Sequence, residues 1–198
     1  MRWIFCIVSL AFFSLQVQAF AGQLLPVSRS IGAPVGFASA CARYRWLCHM
    51  TSARGGANAR EGADVAEQGG MPLLRKINRA VNQRVVSTED RSGSGDDWTL
   101  PSGGRGDCED YALQKMKDLI DSGFPANRLA LSVVIGPRDE NHVVLIARMD
   151  DGDYVLDNLN NSVKAWRSTP YTFLATQDFQ MRSTWRVTLA GPRANEFS

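Results

Sequence analysis

Imidazole and thiol are scarce in this chain. It carries two histidines, His49 and His142, and four cysteines, Cys6, Cys41, Cys48 and Cys108. Nucleophilic catalysis by a thiol needs a base within reach and a third group to orient that base. Cys108 lies in the string Gly106-Asp107-Cys108-Glu109-Asp110-Tyr111, where Asp107 is a good N-cap and Asp110, three residues on, gives a capping-box-like arrangement. The following helix, with Cys108, Ala112, Met116 and Leu119 on one face, should end near Gly123-Phe124-Pro125. Cys108 is then in the first turn on the core-facing side, where the helix terminus favours a low-pKa thiolate. The run Gly103-Gly104-Arg105-Gly106 leaves room for a substrate backbone to approach.

Strands must supply the other two groups. Leu129 to Ile135 is apolar and β-branched, and Val143 to Arg148 follows a turn at Gly136 to Glu140. Asp151-Gly152 signals a hairpin, with Tyr154 to Leu156 beyond it, and Tyr171 to Leu174 and Thr184 to Leu189 are further strands. His142 opens one strand and Asp157 closes the next. If Asp151-Gly152 is the whole turn, Asp157 lies opposite Ile146, roughly 13 Å along the strand from His142. A different turn alignment, a curl or a bulge has to close that gap. A Cys-bearing helix followed by an antiparallel meander predicts an α+β fold.

The N-terminus carries an address. Arg2, the apolar run 3–15 and the small residues of Val17-Gln18-Ala19 have the layout of a cleavable secretory signal over residues 1–19, with cleavage near Ala19. The run is shorter than the ~20 residues of a bilayer-spanning helix, and no later segment is apolar enough to be transmembrane. A periplasmic or secreted protein is the expectation, with Cys6 removed. Export permits disulfides. Cys41 and Cys48 are close enough to be bridged across a turn, which leaves Cys108 unpaired, either as a reactive thiol or as a buried inert one.

With 198 residues and 22 Lys+Arg against 20 Asp+Glu, the chain has the length of one domain and a net charge of +2, too small for a nucleic-acid footprint. Residues 20–36, with Pro26 and Pro34, read as an extended lead-in. Residues 37–190 form the domain and 191–198 a tail. Phe37 to Met50 suits a short helix carrying the cysteine pair, and Thr51 to Gly70 suits loop or weak helix. Pro72 fits the first turn of a helix that continues through Leu74, Ile77 and Val81. Ser87 to Gly106 reads as a long loop holding Trp98, which either covers a cleft or packs as an ordinary aromatic.

The Gly106–Tyr111 string, Asn141-His142-Val143-Val144-Leu145 and Tyr154-Val155-Leu156-Asp157-Asn158 resemble the bacterial transglutaminase-like cysteine proteinases, within the wider papain/transglutaminase fold. The resemblance runs from about Cys41 to Trp185 and includes the Cys41/Cys48 pair, Ile77-Asn78 and Asp97-Trp98. It implies a helix with Cys at its N-terminus packed on an antiparallel sheet, and a triad of Cys108, His142 and Asp157. No cofactor is required for that chemistry. Some relatives are periplasmic, cut surface adhesins and need calcium, which puts a calcium expectation on Asp107 and Glu109, against simple helix capping by both. A protein substrate in the cell envelope and a regulatory protein partner are implied in the same way. Two alternatives stand beside the peptidase: a zinc site of Cys108, His142 and Asp157, and a non-catalytic binding module on the same scaffold. His49, next to Cys48, reads as structural.

Overall fold

The structure is a computed structural model that describes residues 24–49, 56–88 and 97–198, with backbone alone for 56–69. The expected secretory signal over residues 1–19, with Cys6, lies outside the described residues.

Nine strands and four α-helices are described. Strands β1 (Ser30–Ile31), β4 (Leu129–Ile135), β5 (Asn141–Met149), β6 (Gly152–Asp157), β7 (Asn160–Ala165), β8 (Thr172–Gln177) and β9 (Trp185–Ala190) build a seven-stranded antiparallel sheet in the order β1-β9-β8-β4-β5-β6-β7. Strands β2 (Val86–Ser87) and β3 (Arg105–Gly106) form a small parallel pair. The helices are α1 (Phe37–Arg43), α2 (Arg45–Cys48), α3 (Gly56–Arg84) and α4 (Cys108–Asp121). The expected α+β architecture is present.

Helix α4 has both expected ends. The Asp107 side chain accepts the Asp110 N–H at 3.3 Å. At the other end Gly123 takes φ 88°, and the Phe124 N–H returns to the Leu119 carbonyl at 2.9 Å. Leu113, Met116 and Leu119 bury against Leu131, Val143, Leu145 and Leu156 on one face of the sheet. The opposite face holds a second core of Val134, Val144, Ile146, Val155, Trp166, Tyr171 and Phe173, closed by Leu25 of the lead-in. Covering on both faces explains why β4 is apolar but for Ser132, whose hydroxyl donates to the Ala175 carbonyl, rather than alternating.

Several expectations need correction. The 37–50 segment is two helices broken at Tyr44, and Cys41 and Cys48 are bonded across that break, with Cα atoms 5.5 Å apart. The lead-in is not merely extended, since β1 pairs with β9. Pro72 does not open its helix, because α3 begins at Gly56 and runs through it. The polar segment Asn160–Ala165, which has no sequence signal for a strand, is the sheet's edge strand β7. Residues 194–196 form a 3₁₀ turn, and the N–H of Arg193 donates to Thr172 Oγ1 at 3.1 Å.

Candidate active site

The helix terminus that holds Cys108 is fixed from outside the helix. Asp110 does not complete a capping box. Its carboxylate turns away to accept the Thr99 N–H at 2.9 Å and the Thr99 hydroxyl at 3.1 Å, tying the segment before the helix to its first turn. Gly106 has to be glycine for this, because a Cβ there would lie 2.7 Å from Asp110 Cβ. The space expected for substrate at this glycine belongs to Asp110. Gly103 and Gly104, with φ 58° and 74°, make the tight turn that bridges Ser102 to Arg105.

The register problem between His142 and Asp157 is solved by the hairpin. Met149 pairs with Gly152, so the loop is Asp150-Asp151, one residue earlier than the Asp-Gly signal suggests. Gly152, at φ 142°, occupies backbone space that suits glycine and lets β6 start at once. The last pair of this ladder is Leu145 with Leu156, and one more step sets Asp157 level with Val144. His142 is two residues from Val144 on the same face, a diagonal neighbour within side-chain reach. The result is a contact of 3.0 Å between His142 Nε2 and Asp157 Oδ1.

Both groups are 5% exposed. Asp157 Oδ1 also accepts the Leu159 N–H at 2.9 Å, and Oδ2 accepts the Tyr171 hydroxyl at 2.6 Å. The Asn82 amide from α3 donates to the Asp157 carbonyl at 2.9 Å. Burial works to raise the Asp157 pKa, but the hydrogen bonds from His142, Tyr171 and Leu159 outweigh it, and the carboxyl is held below its ordinary value. With Nε2–H given to Asp157, Nδ1 of His142 carries the ring's lone pair.

Cys108 and His142 line one cleft of about 360 Å³, together with Pro34, Trp98, Glu109, Val133, Asn141 and Val143. Trp98 fills both of its expected roles, lining the cleft while packing edge-on against Phe37 and Trp185. Cys108 is the free thiol among the described residues. Its Sγ is turned to Glu109 Oε2 at 2.8 Å. Burial comes first, then the charge of Glu109 and the hydrogen bond to it, and together they push the thiol up. This reverses the low-pKa expectation, since desolvation and a neighbouring carboxylate outweigh the helix terminus.

The remaining candidates lie as follows. Asp107 caps α4, whereas Glu109 faces the thiol and lines the cleft. No group of three His, Cys, Asp or Glu side chains able to hold a metal occurs among the described residues, so Cys108, His142 and Asp157 are not gathered as zinc ligands. His49 is exposed at the end of α2, away from the cleft residues. Two residues had no sequence signal. Tyr171 was legible only as a strand residue. Lys115, on α4, has the polarity of an exposed position and yet is 1% exposed, with its ammonium 5.8 Å from the Tyr111 ring centroid.

Two outcomes follow from these charges. Glu109→Gln removes a negative charge and a charged acceptor from the thiol, so the Cys108 pKa should fall. Iodoacetamide alkylation of Cys108 at pH 7 should then quicken by about tenfold, the equivalent of one pK unit; an unchanged rate would remove Glu109 as the cause. Burial pushes Lys115 from 10.5 down to about 7, with the charge of Asp157 opposing. Between those values the unfolded chain binds more protons, so this group makes stability rise with pH. Lys115→Met should therefore raise the melting temperature most at pH 7 and progressively less towards pH 10, as read by thermal unfolding across that range.

Comparison with known proteins adds the family. The model for bacterial transglutaminase-like cysteine proteinases matches residues 27–193. No curated protein matches the chain significantly. Among solved structures, calcium-bound LapG of Legionella pneumophila is similar at 24% identity with a TM-score of 0.49, covering 59% of this chain and 70% of that one. LapG of the same organism in a second structure is similar at 22% identity and a TM-score of 0.48, over 62% of this chain and 75% of that one. An EGTA-treated LapG gives the same identity and score, over 62% and 74%. With the family's model spanning both the thiol-bearing helix and the strands of His142 and Asp157, the chain belongs to the bacterial transglutaminase-like cysteine proteinases.

Proposed function

We propose that this chain is an exported cysteine peptidase that cleaves a protein of the cell envelope through a Cys108-His142-Asp157 triad and an acyl-enzyme. The observation that carries the reading is the buried His142–Asp157 contact at 3.0 Å, with His142 sharing a cleft with a free thiol at a helix N-terminus. His142 Nδ1 takes the Cys108 proton, and the thiolate adds to the scissile carbonyl. The Cys108 backbone N–H, in the first turn of α4, is a donor for the oxyanion. Collapse breaks the C–N bond, the leaving amine takes the proton from His142, and a thioester remains on Cys108. Water, deprotonated by His142, releases the acid and restores the thiol. Asp157 keeps the imidazole in one tautomer and meets the charge of the imidazolium.

Cys108→Ala should abolish cleavage and leave the fold intact, since it removes one small side chain and a single contact from the Val143 backbone at the start of β5. Asp157→Asn should keep a residual activity, reduced by roughly 10³–10⁴-fold. Comparing envelope proteins from cells carrying wild type, Cys108→Ala or Asp157→Asn reads both out, through fragments that disappear in the first variant and weaken in the second. An intact fragment pattern in Cys108→Ala cells would sink the peptidase and favour a binding module on the same fold.

Calcium belongs to the same reading, on Asp107 and Glu109. Their oxygens are the hard donors calcium takes, but it needs six to eight of them. Here one Asp107 oxygen caps Asp110, one Glu109 oxygen holds the thiol, and no three-carboxylate group is formed among the described residues. The arrangement described is not a closed calcium site. Calorimetric titration with calcium should show binding that is lost in Glu109→Gln if the pair serves a cation; no heat from the wild type would leave both residues as helix-terminus groups only.

A further inference from the structure

Tyr171 has a place in the site that no motif announces. It sits immediately before β8, and its backbone is clamped there. Gly191, at φ 120°, passes so close that a Cβ on it would lie 2.3 Å from the Tyr171 carbonyl oxygen. The next residue, Thr172, accepts the Arg193 N–H. The side chain is 6% exposed in the core on the sheet face opposite α4. Its hydroxyl donates to Asp157 Oδ2 at 2.6 Å, and its ring lies 5.6 Å from the His142 ring, tilted by 43°.

Asp157 has two oxygens with different duties. Oδ1 serves His142 and Leu159, whereas the hydrogen bond to Oδ2 comes from Tyr171. A carboxylate held at one oxygen can still turn about Cβ–Cγ and present either edge. Held at both, it offers Oδ1 to His142 in one orientation. A phenol donor on a clamped backbone costs little further ordering when it does this. Burial, then the hydrogen bond to Asp157, raise the Tyr171 pKa, so the phenol stays a donor across the working range.

Resting on the triad reading, we propose that Tyr171 is a positioning residue of the active site, which locks the Asp157 carboxylate and thereby the tautomer and plane of His142. It touches no substrate. Its effect passes wholly through Asp157.

The test is Tyr171→Phe, which keeps the ring and removes the hydroxyl. The chain has two histidines, so ¹⁵N-imidazole NMR resolves His142 from the exposed His49 without crowding. Wild type should show His142 protonated at Nε2 alone, and the variant a mixture of Nε2–H and Nδ1–H forms. Iodoacetamide inactivation of Cys108 against pH should slow by roughly tenfold, the equivalent of 1.4 kcal/mol. Its acid limb should move to higher pH, because Asp157 loses a donor to its charged form. In an Asp157→Asn background the same substitution should change neither readout, as effects in series are not additive. Should the Phe variant not fold, 3-fluorotyrosine throughout the wild-type chain keeps every ring and makes the phenols stronger donors. Of the four tyrosines, Tyr171 is the one whose hydroxyl donates to Asp157, so a shift of the His142 signal should follow. Unchanged tautomer and unchanged pH profile in a folded Tyr171→Phe protein would reduce Tyr171 to core packing and leave the triad standing. A wild-type His142 with no preferred tautomer would instead overturn the triad reading itself.

Discussion

A carboxylate that is ionised and 5% exposed is tolerable only where donors surround it, and Asp157 gathers them from separate parts of the chain. His142 comes from β5, the Leu159 N–H from the turn that follows, and the Tyr171 hydroxyl from the approach to β8. Asn82 of α3 secures the same residue through its carbonyl. Removing the carboxylate would leave the buried His142 and Tyr171 donors, and the half-buried Leu159 N–H, without their acceptor. Each buried donor would carry a desolvation penalty of about 1–3 kcal/mol. The meeting of helix α3, strand β5 and the β7–β8 connection at one point is therefore a requirement of electrostatics as much as of topology.

Reaching that point depends on one register. A loop of Asp150-Asp151 rather than Asp151-Gly152 moves Asp157 from the level of Ile146 to that of Val144, and turns a separation of roughly 13 Å into a diagonal contact. The glycine expected as part of the turn is used one position later, where its φ of 142° lets the strand resume without a spacer. The even offset keeps both side chains on one face. Sequence could supply the hairpin and the face, but not the offset, because both alignments of an Asp-Asp-Gly run satisfy the same turn chemistry.

What was legible followed local rules. The N-cap at Asp107, the glycine stop at Gly123 and the apolar run Leu129–Ile135 each have a cause within a few residues, and each appears where expected. What was illegible depends on partners far along the chain. Strand β7 is polar because it is the sheet's edge, and its existence rests on pairing with β6. Lys115 lies at the spacing of Cys108, Ala112 and Leu119 on the core-facing side of α4, and only its charge argues for solvent. Tyr171 reads as a β-former, and its hydroxyl matters only because a carboxylate 14 residues earlier arrives beside it. The family string was legible for yet another reason: it lies in three short stretches, each of which stays local even though the residues it contains meet only in the fold.

The thiol shows why a helix terminus is not by itself an activating environment. The first turn of α4 brings Cys108 partial positive charge, but the same turn brings Glu109, and burial strengthens the carboxylate's effect along with the dipole's. In the proposed triad, moving the proton from Cys108 to His142 turns two neutral groups into an ion pair. The imidazolium half of that pair is met by Asp157, already charged and already bonded. The thiolate half has to form against Glu109, whose oxygen now accepts from the sulfur at 2.8 Å and would repel it once charged. The two carboxylates therefore act in opposite senses on one proton transfer. Asp157 is held by donors at both oxygens, and on the sulfur's side the Val143 backbone contact and the dipole of α4 favour the thiolate against Glu109. The resting arrangement keeps the Cys108 thiol protonated, and in the proposed triad His142 offers the lone pair of Nδ1 to that proton.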